Sequence, residues 1–286
     1  MVVLLGGCAL LDRPEPLPVY AQLASVRIAY DSAASRTTRT GVKDLWIDHN
    51  GALLGTYRIG ATIPVLPTPG NNRLTLAGGI FETGLSSVRA RYPFWQPVTI
   101  DFDLSALDTL VLNPTFYYYP DTVLAFPFDE DFESASVGLT SLSSGDNRTL
   151  LSPSTLDAFH GSRSGRVAFD SRSYLFEAIG TSYFRLPQSG NNDVYLEISY
   201  RGDIAFTAGL YYVGIDGFTV GEIPAGLNFK SDTWNTVYIH VNDQVRGLPA
   251  QTLFRPYIRA TSLDNSTGVA ASGVLYVDNI RIVHFQ

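Results

Sequence analysis

The sequence is poor in cysteine, in charge and in long apolar runs. Its 286 residues include one cysteine, Cys8, so an internal disulfide and a zinc site built from several thiolates are excluded. Only 16% of the residues are charged and the net charge is −7, whereas binding to a polyanion requires clustered positive charge. Nucleic acid is therefore not an expected partner. No apolar run reaches the roughly 20 residues of a membrane-spanning helix.

Aromatic and turn-forming residues are abundant instead. The chain has 16 Tyr, 16 Phe, 25 Gly and 16 Pro, and 45% of its residues are hydrophobic. From about Leu23 onward, apolar and polar residues alternate with a period of two, which is typical of half-buried strands. Helical periodicity is absent wherever it is tested. The sequence thus predicts an all-β protein with a substantial core.

Two β units follow a short N-terminal segment in this interpretation. Residues 22–122 are expected to form a small, Ig-like antiparallel β-sandwich, in which Asn50 and Gly51 make the strongest hairpin pattern of the chain, because both tolerate the positive φ of a type I′ turn. Residues 123–286 are expected to form a jelly-roll β-sandwich. Its strands are predicted at 165–170, 174–178, 194–200, 204–213, 236–241, 253–260 and 274–283.

Residues 1–21 are interpreted as the remnant of a lipoprotein signal with a tether. The apolar stretch 2–11 contains Leu-Gly-Gly-Cys at 5–8, with the small residues that a lipoprotein signal peptidase requires before cysteine. Lipidated Cys8 would then be followed by a stiff, proline-rich spacer. No positively charged region precedes the apolar stretch. Either the true start lies upstream, or residues 1–11 form an apolar strand with a buried thiol.

Three motifs of the second unit occur in a recognisable order. They are Asp-Glu-Asp-Phe-Glu at 129–133, Phe-His-Gly-Ser-Arg-Ser-Gly-Arg-Val at 159–167 and Val-Leu-Tyr-Val-Asp-Asn-Ile-Arg-Ile at 274–282. This order resembles the jelly-roll domains related to carbohydrate-binding modules, also called galactose-binding-like domains. The resemblance covers roughly residues 126–286 and implies the fold more specifically than it implies sugar binding.

The first unit resembles the small sandwich domains of bacterial surface lipoproteins. The motif is the hairpin Trp-Ile-Asp-His-Asn-Gly-Ala-Leu-Leu-Gly at 46–55. Together with the cysteine motif and the jelly roll, it is similar to surface lipoproteins of the Bacteroidota. That resemblance implies a lipid-anchored protein of the outer membrane of a Gram-negative bacterium, exposed at the cell surface.

Catalytic patterns are missing from the sequence. None of the four histidines accompanies a Gly-x-Ser-x-Gly motif or has the spacing of a metal site. The acidic residues at 129–133 are crowded, but neighbours in one strand point to opposite faces. The sequence therefore predicts a protein without enzymatic activity.

The resemblance to jelly rolls also implies a structural calcium ion. Its ligands would be Asp131 or Glu133 from the opening strand together with Asp278 from the last one, because a hard cation needs several oxygens at close range. The alternative is that the acidic cluster is a solvated edge and that Asp278 belongs to a polar bulge. No other cofactor is expected.

Outward positions of the jelly-roll strands supply the candidate binding residues. Alternation with apolar neighbours predicts that Tyr211, His240, Arg255, Tyr257 and Arg259 face away from the core. Tyrosine rings stack on sugars and arginines bond hydroxyl groups, although an ordinary amphipathic sheet has the same pattern. Two functions remain open: glycan binding through the jelly roll, or an accessory subunit of an outer-membrane complex whose aromatic residues contact a protein partner.

The strand at 194–200 carries the same alternation. Leu196 and Ile198 are expected in the core, which turns Tyr195 and Glu197 away from it.

Overall fold

The computed structural model describes residues 16–29, 36–37, 41–83, 85–142, 146, 148–189, 193–217, 220–228, 230–264 and 266–286. Strands dominate these residues, which confirms the all-β class. No helix among them has the length and apolar character needed to cross a membrane. The predicted lipidation site at Cys8 and the apolar stretch around it lie outside the described residues.

The N-terminal unit is built from three small sheets. Their strand orders are β10-β1-β6, β11-β2-β3 and β5-β4-β7-β8, with β9 also paired to β7. Most pairs are antiparallel, whereas β1 with β10 and β2 with β11 are parallel. The strands are β1 (Val19–Leu23), β2 (Arg27–Ala29), β3 (Arg36–Thr37), β4 (Asp44–His49), β5 (Ala52–Arg58), β6 (Thr62–Val65), β7 (Asn72–Phe81), β8 (Arg89–Arg91), β9 (Val98–Phe102), β10 (Thr109–Leu112) and β11 (Thr115–Tyr117).

The Asn50–Gly51 hairpin is confirmed. It joins β4 to β5, and His49 pairs with Ala52 across the turn. Asn50 has φ 50° and Gly51 has φ 83°. Both values are positive, as a type I′ turn requires, so the local sequence accounts for this connection.

The C-terminal unit is a sandwich of two sheets. One has the order β14-β15-β25-β18-β21 with β12 on β25, and the other has the order β13-β16-β22-β19-β20 with β17 on β22. The strands are β12 (Leu124–Glu130), β13 (Leu139–Ser141), β14 (Ser152–Ser154), β15 (Ser164–Phe169), β16 (Leu175–Gly180), β17 (Phe184–Arg185), β18 (Val194–Gly202), β19 (Phe206–Val213), β20 (Val220–Asn228), β21 (Ser231–His240), β22 (Leu253–Thr261), β23 (Leu263–Asp264), β24 (Val269–Ala270) and β25 (Gly273–Phe285).

Alternate residues of both sheets fill the space between them. Leu196 and Ile198 from one sheet share a buried cluster with Phe254 and Ile258 from the other. The opposite faces of the same strands hold the residues between these apolar positions, as a period of two demands. Each sheet therefore has an outer face that is either exposed to solvent or covered by another part of the chain.

The N-terminal unit packs on the outer face of the first jelly-roll sheet, which we call the covered sheet. Tyr195, Tyr238 and Val283 of that sheet belong to the hydrophobic cluster of the N-terminal unit. The backbone N–H of Thr83 donates to the carbonyl of Tyr238 at 2.8 Å. Tyr195 is thus turned away from the jelly-roll core as expected, yet it is buried. The second sheet contributes no member to this cluster in the described residues, and we call it the open sheet.

Several elements of the jelly roll were not expected from the sequence, and β20 and the helix α1 are two of them. Strand β20 contains Gly221, Pro224 and Gly226, residue types that normally mark turns. It lies at the edge of the open sheet, where a proline without an N–H is tolerated. The helix α1 (Asn242–Arg246) has only five residues. A segment that short shows no recognisable period.

Candidate functional site

Four of the five predicted binding residues meet on the outer face of the open sheet. Arg255, Tyr257 and Arg259 lie on β22, and Tyr211 lies on the neighbouring strand β19, directly opposite Arg255. Because residues two apart on a strand share a face, the three β22 side chains stand in one row. The sheet pairing therefore brings together residues that the sequence only placed on outward positions.

His240 is the exception, because it lies on the other sheet, apart from the other four residues. It lies at the end of β21 in the covered sheet, where its ring stacks on Tyr195 at a centroid distance of 4.7 Å. Its Nε2 is 3.2 Å from Oδ1 of Asp193. Alternation indicates whether a side chain faces the core but not which of the two sheets holds its strand, so the sequence had no means of separating His240 from the others.

Tyr257 forms the floor of the face and is not exposed. The expectation of an exposed ring was wrong, since its exposed fraction is 0%. The ring of Tyr211 lies 4.7 Å away and the Arg259 guanidinium carbon lies 5.3 Å above Tyr257. On the neighbouring strand, a Cβ added to Gly209 would approach the Tyr257 ring to 2.9 Å. Tyr257 is therefore covered by the side chains of Tyr211 and Arg259 and flanked by Gly209, which has no side chain.

A shared hydrogen-bond network holds the upper layer of the site. Arg259 Nη2 lies 2.8 Å from Glu177 Oε1, 2.7 Å from the Tyr211 hydroxyl and 3.0 Å from Glu222 Oε2. The Tyr211 hydroxyl in turn donates to Glu177 Oε1. Glu177 comes from β16 and Glu222 from β20, so four strands contribute to one network. Charge-assisted bonds of this kind are among the stronger ones in proteins.

Glu177 and Glu222 were missed by the sequence reasoning. Glu177 lies in the segment Leu-Phe-Glu-Ala-Ile, whose apolar residues are typical of a core strand. Glu222 belongs to the glycine- and proline-containing strand that was not predicted. An isolated glutamate in an otherwise apolar strand is a sign of a functional or interfacial position, because a buried carboxylate requires partners.

The two tyrosines of the site keep their protons at neutral pH. Burial raises the pKa of Tyr211 to about 12, and its hydrogen bond to Glu177 adds to the effect. Burial also raises the pKa of Tyr257 to about 12, with the Glu222 charge contributing. Burial lowers the pKa of Arg259, but its bonds to Glu177 and Glu222 outweigh this and the net change is upward. The site therefore presents neutral hydroxyls beside a permanent cation.

A pocket adjoins this network at the β19–β20 side. It has a volume of about 260 Å³. Tyr183 is 45% exposed at its rim, and the Arg255 guanidinium carbon lies 4.5 Å from the Tyr183 ring centroid. The other lining residues include Tyr211, Val213, Val220 and Glu222. The open face thus combines an aromatic surface with fixed polar groups.

A larger cleft of about 790 Å³ separates part of the N-terminal unit from the covered sheet. Tyr117, Tyr119 and Phe126 line it together with Asp129 and Arg281. Arg281 is almost completely buried and donates from Nε to Asp129 Oδ1 at 2.6 Å. Both members of this charged pair line the cleft, and the other lining residues come from both units, so the cleft is part of the interface between them.

The predicted calcium ligands lie around one loop. Asp278 Oδ2 accepts the backbone N–H groups of Phe159 and His160 at 2.9 and 3.2 Å. Glu133 Oε1 accepts those of Ser162 and Arg163 at 2.8 and 2.7 Å.

Asp131 is placed differently. Its Oδ1 accepts the N–H of Glu133 at 3.0 Å in an exposed position. No group of three His, Cys, Asp or Glu side chains in the described ranges is arranged to hold a metal ion. Backbone N–H groups donate to all three carboxylates, and the calcium ion remains a prediction.

No family model matches the sequence, and no curated protein matches it significantly. Among solved structures, the chain is similar to a xylan-binding domain of carbohydrate-binding module family 22, with 16% identity, 57% of this chain and 96% of that chain covered and a TM-score of 0.38. The CBM22-2 xylan-binding domain from Paenibacillus barcinonensis gives 12% identity, coverages of 54% and 97%, and a TM-score of 0.38.

A third similar structure covers more of this chain. It is a carbohydrate-binding module of the β-sandwich superfamily, described as having promiscuous specificity, with 14% identity, coverages of 87% and 89%, and a TM-score of 0.41. Similarity at these identities and scores says nothing about a ligand of this chain, so the side chains have to carry the functional argument.

Proposed function

We propose that the protein binds carbohydrate without catalysis on the outer face of the open sheet. The observation that carries this proposal is the convergence of Tyr211, Arg259, Glu177 and Glu222 above the buried Tyr257 ring. A sugar has apolar C–H faces that pack on aromatic rings and a rim of hydroxyls that both donate and accept hydrogen bonds. The face offers rings, donors and acceptors side by side.

The network also fixes these groups before a ligand arrives. Arg259 joins two carboxylates that come from strands on either side of it, and Tyr211 closes the link to Glu177. Side chains that are already ordered lose little conformational freedom on binding, so more of the contact energy appears as affinity. The face therefore has preformed polar groups beside the partly exposed ring of Tyr211 and the exposed ring of Tyr183, and recognition requires no step of bond cleavage.

The location of the protein belongs to the same proposal. The motif ending at Cys8 supports lipid attachment and thereby an anchored protein at the surface of the outer membrane. The mass of the mature protein and membrane fractionation of the wild type and Cys8→Ser test this part. Equal fractionation of the two proteins and an unlipidated wild type would exclude the anchor.

Tyr211 provides the test of the binding face. Titration calorimetry with xylan, β-glucan and galactan should identify at least one ligand, and Tyr211→Ala should weaken it by about 1 to 3 kcal/mol, as the loss of an aromatic anchor does. Tyr211→Phe keeps the ring and loses the hydroxyl that bridges Arg259 and Glu177. It should weaken binding by about 1 kcal/mol.

Arg172→Gln is the matched control, because Arg172 is exposed in the turn between β15 and β16 and belongs to neither the hydrogen-bond network nor the lining of the pocket. Unchanged affinity in Tyr211→Ala would refute the site. A stoichiometric protein partner retained by the wild type and lost in Tyr211→Ala, with no polysaccharide bound, would favour the accessory-subunit function instead.

A further inference from the structure

Arg255 is a cation of the open face that takes no part in the hydrogen-bond network around Arg259. Glu177 and Glu222 are the carboxylates of the network, and Arg259 pairs with both. Arg255 forms no ion pair with a carboxylate in the described part of the chain, and its buried Nε has no hydrogen-bond partner there. A buried donor without an acceptor costs about 1–3 kcal/mol. The Arg255 side chain is partly exposed, so the terminal nitrogens of its guanidinium are the donors that an acceptor of a ligand would meet.

The position of Arg255 separates it from the nearby glutamate. Arg255 on β22, Tyr211 on β19 and Glu222 on β20 are directly opposite one another across three neighbouring strands. Two strand spacings put Arg255 and Glu222 about 10 Å apart along the sheet, with Tyr211 between them. The Glu222 charge is also compensated by Arg259. Arg255 thus stands as a local positive charge at one side of the pocket.

The pocket beside Arg255 has room for a single sugar ring. Its volume of about 260 Å³ lies just below the range of roughly 300–1,000 Å³ that is usual for small-molecule sites. Tyr183 is 45% exposed and carries the Arg255 guanidinium on its ring face. This stacking orients the guanidinium plane and leaves its edge for an acceptor.

We propose that this pocket binds the carboxylate of a uronic acid residue, so that the protein prefers acidic polysaccharides. The inference rests on the proposed function and specifies its ligand class. A carboxylate is planar and accepts two parallel N–H bonds from a guanidinium edge, which matches Arg255 better than a neutral hydroxyl does. The net charge of −7 repels anions at long range, so an acidic ligand requires a local cation of this kind.

Matched pairs of polysaccharides test the proposal. Glucuronoxylan, polygalacturonate and alginate oligosaccharides are each compared with the same material after chemical reduction of the carboxyl groups to alcohols. The wild type should bind the acidic form of at least one pair about tenfold more tightly than its reduced form, which corresponds to about 1.4 kcal/mol. Higher salt should narrow the difference.

Variants of Arg255 assign the preference to this residue. Arg255→Gln should bring the two forms within about twofold of each other while affinity for the reduced form stays unchanged. Arg255→Lys keeps the charge without the planar fork and should retain part of the preference. Arg172→Gln changes the net charge equally and should behave like the wild type. Melting temperatures of all variants verify that each protein is folded.

Each outcome decides between the two proposals. Equal affinity of the wild type for acidic and reduced forms, or binding to neutral glycans alone, would overturn the uronic acid inference and leave the glycan function intact. A preference that survives in Arg255→Gln would overturn the role of this pocket. Failure to bind any member of the acidic and neutral panels would overturn the proposed function itself, and the inference with it.

Discussion

The two outer faces of the jelly roll use similar chemistry for different purposes. On the covered sheet, buried Glu197 accepts hydrogen bonds from the hydroxyls of Tyr92 and Tyr118, both of which belong to the segments preceding the jelly roll. On the open sheet, Glu177 accepts from Tyr211 of its own sheet. Glu197 therefore links the N-terminal unit to the jelly roll, whereas Glu177 orders side chains on an exposed surface.

The surroundings of the two glutamates explain this difference. The covered sheet is met by an aromatic layer in which the ring of Tyr92 lies 5.3 Å from Tyr195 and 4.8 Å from Tyr238. The open sheet has no such layer among the described residues, and Arg259 keeps more than a third of its side chain exposed. A tyrosine–glutamate cluster that has no protein layer over it is free to receive a ligand.

The largest expected effect is the loss of Glu197. Glu197→Ala removes the acceptor of the buried Tyr92 hydroxyl and of the partly buried Tyr118 hydroxyl, together with a buried charge that attracts Arg281. It should lower the free energy of unfolding by about 3–5 kcal/mol. Glu177→Ala should cost less, because Arg259 is partly solvated and keeps Glu222. Urea denaturation of both variants measures the difference, and equal losses would contradict the distinction between the two faces.

A smaller effect concerns pH and the covered sheet. Burial raises the pKa of Asp278 to about 7, although three backbone N–H groups oppose the shift. In the unfolded chain the same carboxyl ionises near pH 4. The folded state thus holds the proton to higher pH, and the stabilisation is complete below about pH 4 and is lost as the pH rises through 7. The free energy of unfolding should fall by about 2–4 kcal/mol over this range.

Asp278→Asn should remove most of this decrease in the free energy of unfolding with rising pH. The free energy of unfolding is measured by urea titration at several pH values with chelator present. Millimolar calcium at pH 8 provides a second arm, since an ion that binds only the folded state raises the melting temperature. An unchanged melting temperature of the wild type would exclude calcium, and an equal pH slope in the variant would exclude Asp278 as its source.

The smallest expected effect is at the floor of the open face. The Tyr257 hydroxyl is buried without a hydrogen-bond partner in the described structure. Tyr257→Phe should therefore leave the free energy of unfolding unchanged or raise it by up to about 1 kcal/mol. Tyr195→Phe is the contrasting variant on the covered sheet, because the Tyr195 hydroxyl donates to Glu82 at 2.5 Å, and it should be destabilised. Thermal unfolding compares the two variants, and a destabilised Tyr257→Phe would show that its hydroxyl has a partner.

Sequence reasoning reached much of the open face but not its polar network. Tyr211, Arg255 and Arg259 were identified because alternation along a strand is a local property. Glu177 was missed, although it is the acceptor for both Tyr211 and Arg259. Its partner Arg259 lies 82 residues further along the chain, and no local pattern reports a contact over that distance.

Local sequence accounts for the β class, the type I′ turn at Asn50–Gly51 and the sides of β18 and β22 that face the core, because each follows from the conformational preferences and period of neighbouring residues. The sheet that each strand joins depends instead on long-range packing. That choice placed His240 beside the N-terminal unit and buried Tyr257 beneath Tyr211. Strand pairing is a long-range contact, so the difference between an interface and an open binding face arises only when the two sheets and the N-terminal unit pack together.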